Sequence, residues 1–134
     1  RFKCDWSSDV CSSDLDEAWR MRPSGEAWSL VCRGAPRGAR AHPGVSDDPE
    51  VDGVALVPPD GGGVNLLLVN RADAARKVTL RGIPAGAVPL EKAEVSAFGR
   101  NGASGPETRA WTETTGCELP PETFLLARLS GPKQ

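Results

Sequence analysis

Carboxylates are the side chains of this sequence best suited to catalysis, because a pair of them can serve as acid, base or nucleophile. Such a pair must be held on a rigid scaffold with both groups within reach of one another. The acidic residues fall mainly in turns and on polar strand faces, among them Asp47, Asp48, Asp60, Asp73, Glu107 and Glu118. This placement favours turn formation and solvated charge, so we predict no catalytic residue in the chain.

The single histidine and the cysteines form no metal-binding or nucleophile pattern. His42 has no partner at a ligand spacing, which favours a surface-loop histidine over a metal ligand or catalytic base. Cys32 and Cys117 lack a Cys-x-x-Cys partner, so we expect small buried apolar side chains there. The glycines at 61–63 precede a strand instead of a helix, which argues against a phosphate loop. The sequence thus predicts no metal and no cofactor.

Tryptophan could provide a binding surface, because flat aromatic rings stack against sugar rings. Trp19, Trp28 and Trp111 follow the first fifteen residues, and Trp111 is the candidate for a carbohydrate contact. The alternative is that Trp111 packs in the core. Packing is favoured because such a platform needs several aromatics on one face, whereas this chain has no Tyr and three Phe.

Length and charge narrow the classes of protein. The 134 residues suit one domain, and 16 basic against 18 acidic residues give a net charge of −2. This balance predicts neither nucleic acid nor an anionic membrane as a partner. The longest strongly apolar run, residues 64–69, is far too short to span a bilayer. Localisation is left open.

One short helix is predicted at the start of the fold. Ser24 is a good N-cap residue, and Gly34 followed by Pro36 should end the helix. Between them lies a short apolar face made of Ala27, Trp28, Leu30, Val31 and Cys32. From residue 35 onward, glycine and proline recur between short runs rich in Val, Leu and Thr, a pattern typical of antiparallel β structure.

The clearest predicted hairpin joins residues 51–57 to residues 63–70 through a Pro-Pro-Asp-Gly-Gly turn. Residues 66–69 are apolar on both faces, which predicts a central strand covered on both sides. Residues 76–81 should pair back on this hairpin, and residues 99–106 should form a polar, mobile loop. Further strands are predicted at 90–98, 108–113, 116–119 and 123–129. Seven or eight strands indicate an all-β, antiparallel two-sheet β-sandwich preceded by one short helix.

Residues 51–80 and 119–129 resemble a known family. Their pattern is an Asp-Gly hairpin, an aliphatic strand ending in Val69-Asn70, a strand with Val78-Thr79-Leu80, and a Leu119-Pro120-Pro121 turn before the last strand. This pattern resembles the C-terminal β-sandwich that follows the catalytic (β/α)8 barrel in many glycoside hydrolases. Residues 20–34 look like the last barrel helix that precedes such a domain.

The resemblance implies a supporting role, because the two carboxylates of a retaining hydrolase stand at barrel strand ends. Those strands would lie upstream of Asp16, so no catalytic residue is carried over. The implied partner is a missing N-terminal catalytic barrel of the same chain, and carbohydrate is a further possible partner. A stand-alone carbohydrate-binding or Ig-like adhesion module is the alternative. The abundance of Ala, Gly, Pro and Arg suggests a bacterial genome of high GC content.

The first fifteen residues are interpreted as a processing scar. Residues 5–15 resemble one reading frame of a common short-read sequencing adapter, so residues 1–15 are predicted to be a translated, disordered artefact. The alternatives are a Ser/Asp-rich disordered tail or part of a disulfide framework using Cys4 and Cys11. The expected organisation is then a helix at 16–34 that remains from a barrel, a β-sandwich at 35–130 and a tail at 131–134.

Overall fold

The computed structural model describes residues 18, 20–61, 63–82, 92–111 and 116–130. The predicted adapter segment at 1–15, Trp19 and the tail at 131–134 lie outside the described residues. Within them, one helix and eight strands follow one another in the order α1 (Pro23–Gly34), β1 (Arg40–Pro43), β2 (Val51–Val57), β3 (Val64–Asn70), β4 (Arg76–Val78), β5 (Lys92–Gly99), β6 (Gly102–Ala110), β7 (Cys117–Leu119) and β8 (Thr123–Ser130).

The strands form two antiparallel sheets. The larger sheet has six strands in the order β1-β2-β3-β8-β5-β6, and the smaller pairs β4 with β7. The turn between β2 and β3 uses Gly61 at φ +67°, a conformation that glycine adopts without steric cost. The predicted fold class, a mostly-β protein of two antiparallel sheets with one short N-terminal helix, is confirmed.

The core face of the six-stranded sheet is continuously apolar. In register across it, Leu66 lies between Ala55 and Ala127, and Leu68 lies between Gly53 and Leu125. The main core on this face is formed by Val51, Val64, Leu66, Leu68, Ala93, Val95, Trp111, Leu119, Leu125, Ala127 and Leu129. The central position predicted for residues 66–69 is confirmed, because β3 has neighbours on both edges and apolar layers on both faces.

The opposite side of the sheet, the helix face, is covered by α1. Leu67 and Leu126 point to this side, where they form a second apolar cluster with Leu30 and Leu56. At Gly34 an added Cβ would lie 2.7 Å from Leu126 Cδ1, so glycine permits the close approach of helix and sheet.

Two side chains of the sheet secure the C-terminal end of α1. Asn65 Nδ2 donates to the Gly34 carbonyl at 2.8 Å, and the Arg128 guanidinium donates to the Arg33 carbonyl at 3.1 Å. The last carbonyls of a helix have no intrahelical donor, so these contacts satisfy them. At the other end, the N-cap is Arg22, with Pro23 at N1 and no side-chain cap bond. The predicted Ser24 cap is wrong, because Pro23 restricts the residue before it, Arg22, to the extended conformation of an N-cap.

The smaller sheet forms a second layer over the core face. β4 pairs with β7 through Arg76↔Leu119 and Val78↔Cys117, and Val78, Leu80 and Cys117 pack against the main core. The prediction that residues 76–81 pair back on the β2–β3 hairpin is therefore wrong.

The buried amide of Asn70 explains why β4 leaves the larger sheet. Its Nδ2 donates to the carbonyls of Ala74, Leu119 and Pro120, while its Oδ1 accepts from the Ala72 N–H. These bonds tie the turn after β3 to the end of β7, which places β4 beside β7. The Val69-Asn70 and Leu119-Pro120-Pro121 motifs are thus joined through one side chain.

The edges of the six-stranded sheet differ from prediction. Much of the expected loop at 99–106 is strand, because β6 begins at Gly102 and pairs with β5 after a turn at Arg100 and Asn101. Every described side chain of β6 and of β1 is exposed. An edge strand with no buried side needs no apolar alternation, so its sequence resembles that of a loop.

Candidate functional site

Three large apolar side chains of the described residues are exposed, and they mark two surfaces. Met21 is 49% exposed and Trp28 is 56% exposed, and both belong to the segment that forms or enters α1. Val45 is fully exposed and stands in the loop between β1 and β2. Isolated exposed apolar residues are common, so each surface has to be judged by its surroundings.

The first surface is the outer stripe of α1, which we define as Trp28 and Cys32, and Met21 precedes the helix. Trp28 and Cys32 are four residues apart and share one side of the helix, and Cys32 is also exposed. Leu30 lies about 200° from Trp28 around the helix axis and packs on the sheet. The five apolar residues predicted as one face therefore do not share one side of α1, because Leu30 and Val31 pack on the sheet while Trp28 and Cys32 are exposed. The expectation that Cys32 is buried is wrong for the same reason.

The second surface is a cleft over the core face beside β2, named here the β2–β4 cleft. Two adjoining cavities of ≈ 300 and ≈ 560 Å³ share Gly44, Val45, Gly53, Leu68, Leu80 and Arg81. Leu68 and Leu80 give it an aliphatic floor. Ser46, Asp47, Arg76 and Lys77 add a polar rim at one end, and His42 lines the other.

The charges at this cleft are only partly paired. Ion pairs with carboxylates are formed by Arg71, Arg76, Arg100, Arg109 and Arg128. Within the cleft, Arg76 Nε contacts Asp48 Oδ2 at 2.8 Å. Lys77 and Arg81 have no carboxylate partner among the described residues, and both are exposed. The rim therefore presents two unpaired cations.

Trp111, the predicted carbohydrate contact, lies in the main core with 1% of its surface exposed. Its indole Nε1 has no hydrogen-bond partner in the described structure. A sugar contact would require the ring to leave this position. The contact at Trp111 stays a prediction, and the exposed tryptophan that the structure offers is Trp28.

The remaining chemistry-bearing residues do not form one site. His42 is exposed on the edge strand β1 instead of in a loop, and Asp60 stands in the β2–β3 turn. Burial raises the pKa of the Cys117 thiol to about 11, an effect that the nearby Arg109 partly opposes. Cys117 is thus a protonated, half-buried apolar side chain at neutral pH. No three His, Cys, Asp or Glu side chains within the described ranges converge as a metal site would require.

Comparison with known proteins gives a fold likeness only. No protein-family model and no curated protein matches the chain. Among solved structures, the chain is similar to a small part of a Paenibacillus polymyxa xyloglucanase from glycoside hydrolase family 44. The match has 16% identity and a TM-score of 0.41, and it covers 63% of this chain and 17% of that chain. In the part of this chain that the structure describes, no helix is long and apolar enough to cross a membrane.

Proposed function

We propose that this chain is the non-catalytic ancillary β-sandwich domain of a glycoside hydrolase, and that it packs against the catalytic barrel and stabilises it. The observation that carries the proposal is the two-sided apolar character of α1. Leu30 and Gly34 face the sheet, while Trp28 and Cys32 face outward. A surface helix needs one apolar stripe, whereas a helix with two is suited to lie between two layers.

Burial of the outer stripe would contribute substantially to such an interface. A tryptophan buries roughly 150–250 Å² when it is covered. At about 25 cal/mol per Å² of apolar surface, covering the 56% of Trp28 that is exposed would stabilise the assembly by about 2 to 3.5 kcal/mol. The stripe also lies at the N-terminal side of the β structure, where an upstream catalytic barrel would join it without a spacer.

The motifs that resemble the hydrolase family support the same proposal through their structural positions. Residues 51–80 carry β2, β3 and β4, and residues 119–129 carry the turn into β8 and nearly all of that strand. Asn70 and the Pro120 carbonyl, one from each motif, are in direct contact at 2.9 Å. The two stretches thus form one structural unit.

A stand-alone carbohydrate-binding or Ig-like adhesion module is the second candidate, and the β2–β4 cleft is the observation that favours it. Such a module would work without a catalytic neighbour, so its α1 stripe would stay exposed. The DNA upstream of this sequence separates the two. The hydrolase proposal predicts codons for a barrel with two acidic residues at strand ends, and a complete gene starting near residue 16 would refute it.

The docking role is tested by capture. The catalytic region encoded upstream is immobilised, and the 134-residue chain is added as a separate polypeptide. We expect capture, and we expect Trp28→Asp to abolish it because a charge would be buried in an apolar contact. Thr108→Asp, which adds the same charge on the exposed edge strand β6, is the matched control. Equal capture of the two variants would contradict the proposal.

A further inference from the structure

We infer that the β2–β4 cleft binds a uronate-bearing polysaccharide, with Lys77 and Arg81 holding the sugar carboxylate. The carbohydrate class of the ligand rests on the proposed function. The position of the site rests on the cleft itself, which lies over the core face of the sheet and therefore on the side opposite α1. One domain would then carry two binding surfaces, one for a protein neighbour and one for a glycan.

The dimensions of the cleft suit an extended ligand more than a single small ion. Its adjoining cavities of ≈ 300 and ≈ 560 Å³ fall in the range of small-molecule sites. They share a floor containing Leu68 and Leu80. Such a floor can take the apolar C–H surface of a sugar ring, while the polar rim remains available to its hydroxyl groups.

The rim charges select the chemistry of the ligand. Asp48 is neutralised by Arg76 at 2.8 Å, so it adds little net charge to the site. Asp52, the third acid on the lining, forms an ion pair with Arg71, so among the described residues Asp47 is the lining acid without an ion pair, beside Lys77 and Arg81. Arginine and lysine side chains both bind carboxylates, and arginine can do so through two parallel hydrogen bonds. Glu118 is the cross-strand neighbour of Lys77, but the two form no ion pair in the described structure, so a bound carboxylate would supply a counter-charge that a neutral glycan lacks.

Backbone contacts fix the wall of the cleft that is formed by β2 and the loop at residues 44–48. The Gly44 N–H donates to the Gly53 carbonyl at 2.9 Å, which fastens the loop to β2. A Cβ at Gly44 would stand 3.0 Å from that carbonyl oxygen, and a Cβ at Gly53 would stand 2.7 Å from Leu68 Cδ2. The two glycines thus permit the close contact that sets the cleft wall.

The affinity should be modest and sensitive to salt. The floor is aliphatic, and the cations are exposed, so a dissociation constant on the order of 1 mM is expected. Each exposed charge contact should change affinity by about fivefold at most. Screening should weaken binding further as ionic strength rises.

Affinity electrophoresis of the 134-residue chain tests the inference. In native gels containing glucuronoxylan, we expect migration to be retarded, with no retardation in neutral xylan or in gels supplemented with inorganic phosphate alone. Lys77→Ala and Arg81→Ala should each weaken retardation by about fivefold, and the double variant should lose it. The double variant Arg100→Ala/Arg109→Ala removes the same charge away from the cleft and should bind as the parent chain does.

Three results obtained with the polysaccharides themselves would overturn the inference. These are equal retardation in neutral and acidic polysaccharide, no retardation in either, and unchanged binding by the Lys77→Ala/Arg81→Ala variant while circular dichroism shows it folded. Phosphate that competes with glucuronoxylan at equal concentration would reduce the site to a general anion site and would also overturn it. Capture through Trp28 is independent of these outcomes, so a failed glycan test leaves the docking proposal standing.

Discussion

The two faces of the six-stranded sheet are closed in different ways. The core face is covered by β4, β7 and Trp111, and it forms a large continuous core. The helix face is covered by a single helix of twelve residues. It has a smaller cluster of four buried residues, Leu30, Leu56, Leu67 and Leu126. The helix then presents Trp28 outward, while the layer over the core face leaves the charged β2–β4 cleft.

The difference indicates that the two faces of the sheet have different roles. The core face supplies most of the stability, because burial there is extensive and the Asn70 amide fixes the covering layer. The helix face is held by few contacts, and its outer side is suited to further burial. Adjacent residues of one strand point to opposite faces, so matched pairs of substitutions can compare them directly.

The largest expected loss of stability belongs to the comparison of Leu125→Ala with Leu126→Ala, neighbours on β8 with 1% and 2% exposure. Leu125→Ala should lower the free energy of unfolding by about 4 kcal/mol, because its cavity opens in the main core. Leu126→Ala should cost about 2.5 kcal/mol, because α1 can settle into the space. Urea denaturation followed by circular dichroism measures both. A larger loss at Leu126 would reverse the proposed order of the faces.

The two asparagines of β3 give the second comparison. Asn70→Ala removes the partner of three carbonyls and one N–H at a buried position, so about 3 kcal/mol of stability should be lost. Asn65→Ala removes one contact, to the Gly34 carbonyl near solvent, and should cost about 1 kcal/mol. Equal losses in thermal or urea denaturation would show that the Asn70 contacts do not organise the second layer.

The third comparison uses the cysteines on either side of the sheet. Cys32 is exposed on the outer stripe, whereas burial raises the pKa of Cys117 from 9.0 to about 11. At about pH 8 the thiolate fraction of Cys117 is then about 100-fold lower than that of an ordinary thiol, so alkylation should be slower by a similar factor. Peptide mass spectrometry after iodoacetamide treatment reads the two sites separately. Similar rates at the two thiols would show that Cys117 is not shielded.

The same pKa shift predicts a dependence of stability on pH. The fold favours the protonated thiol, so the unfolded chain releases its proton first as pH rises. The contribution of Cys117 is complete below pH 9.0 and is lost as the pH increases toward about 11. Cys117→Ser should reduce the loss of stability over that interval, and an identical profile for both proteins would exclude this origin.

The smallest expected effect is at Glu122, whose φ of +46° lies in the left-handed region. Glu122→Gly should relieve this strain and stabilise the chain by about 0.5 kcal/mol, after loss of the exposed ion pair with Arg100. A calorimetric rise in melting temperature of a few degrees would match this value. Any fall would mean that the Arg100 contact outweighs the backbone strain.

The parts of the fold that the sequence predicts are those with local apolar patterns. β2, β3, β5 and β8 follow from alternation or from doubly apolar runs, because burial requires those patterns. β1 and residues 102–107 of β6 escape prediction, because an edge strand with exposed side chains has no apolar pattern. The partner of β4 depends on Asn70 contacts that span up to 50 residues, and no local pattern contains them.

The two candidate surfaces also differ in whether the sequence could predict them. The outer stripe could be predicted from the sequence, because Trp28 and Leu30 cannot share one face of a helix that turns by about 100° per residue. No sequence pattern predicts the β2–β4 cleft, because it is assembled from the 44–48 loop, β2 and the chain after β4. Its cations, Lys77 and Arg81, look in sequence like the polar side of an ordinary half-exposed strand.

The proposed position of α1, between the β domain and a catalytic neighbour, is tested most directly by the alkylation rate of Cys32. Cys32 shares the outer side of α1 with Trp28 and is exposed in this chain. The rate is measured at the same pH in the 134-residue chain and in the longer protein encoded by this sequence together with the DNA upstream of it. We expect Cys32 to react readily in the first and to be protected by at least about tenfold in the second, because the neighbour would cover it. Equal rates in the two proteins would contradict this position of the helix.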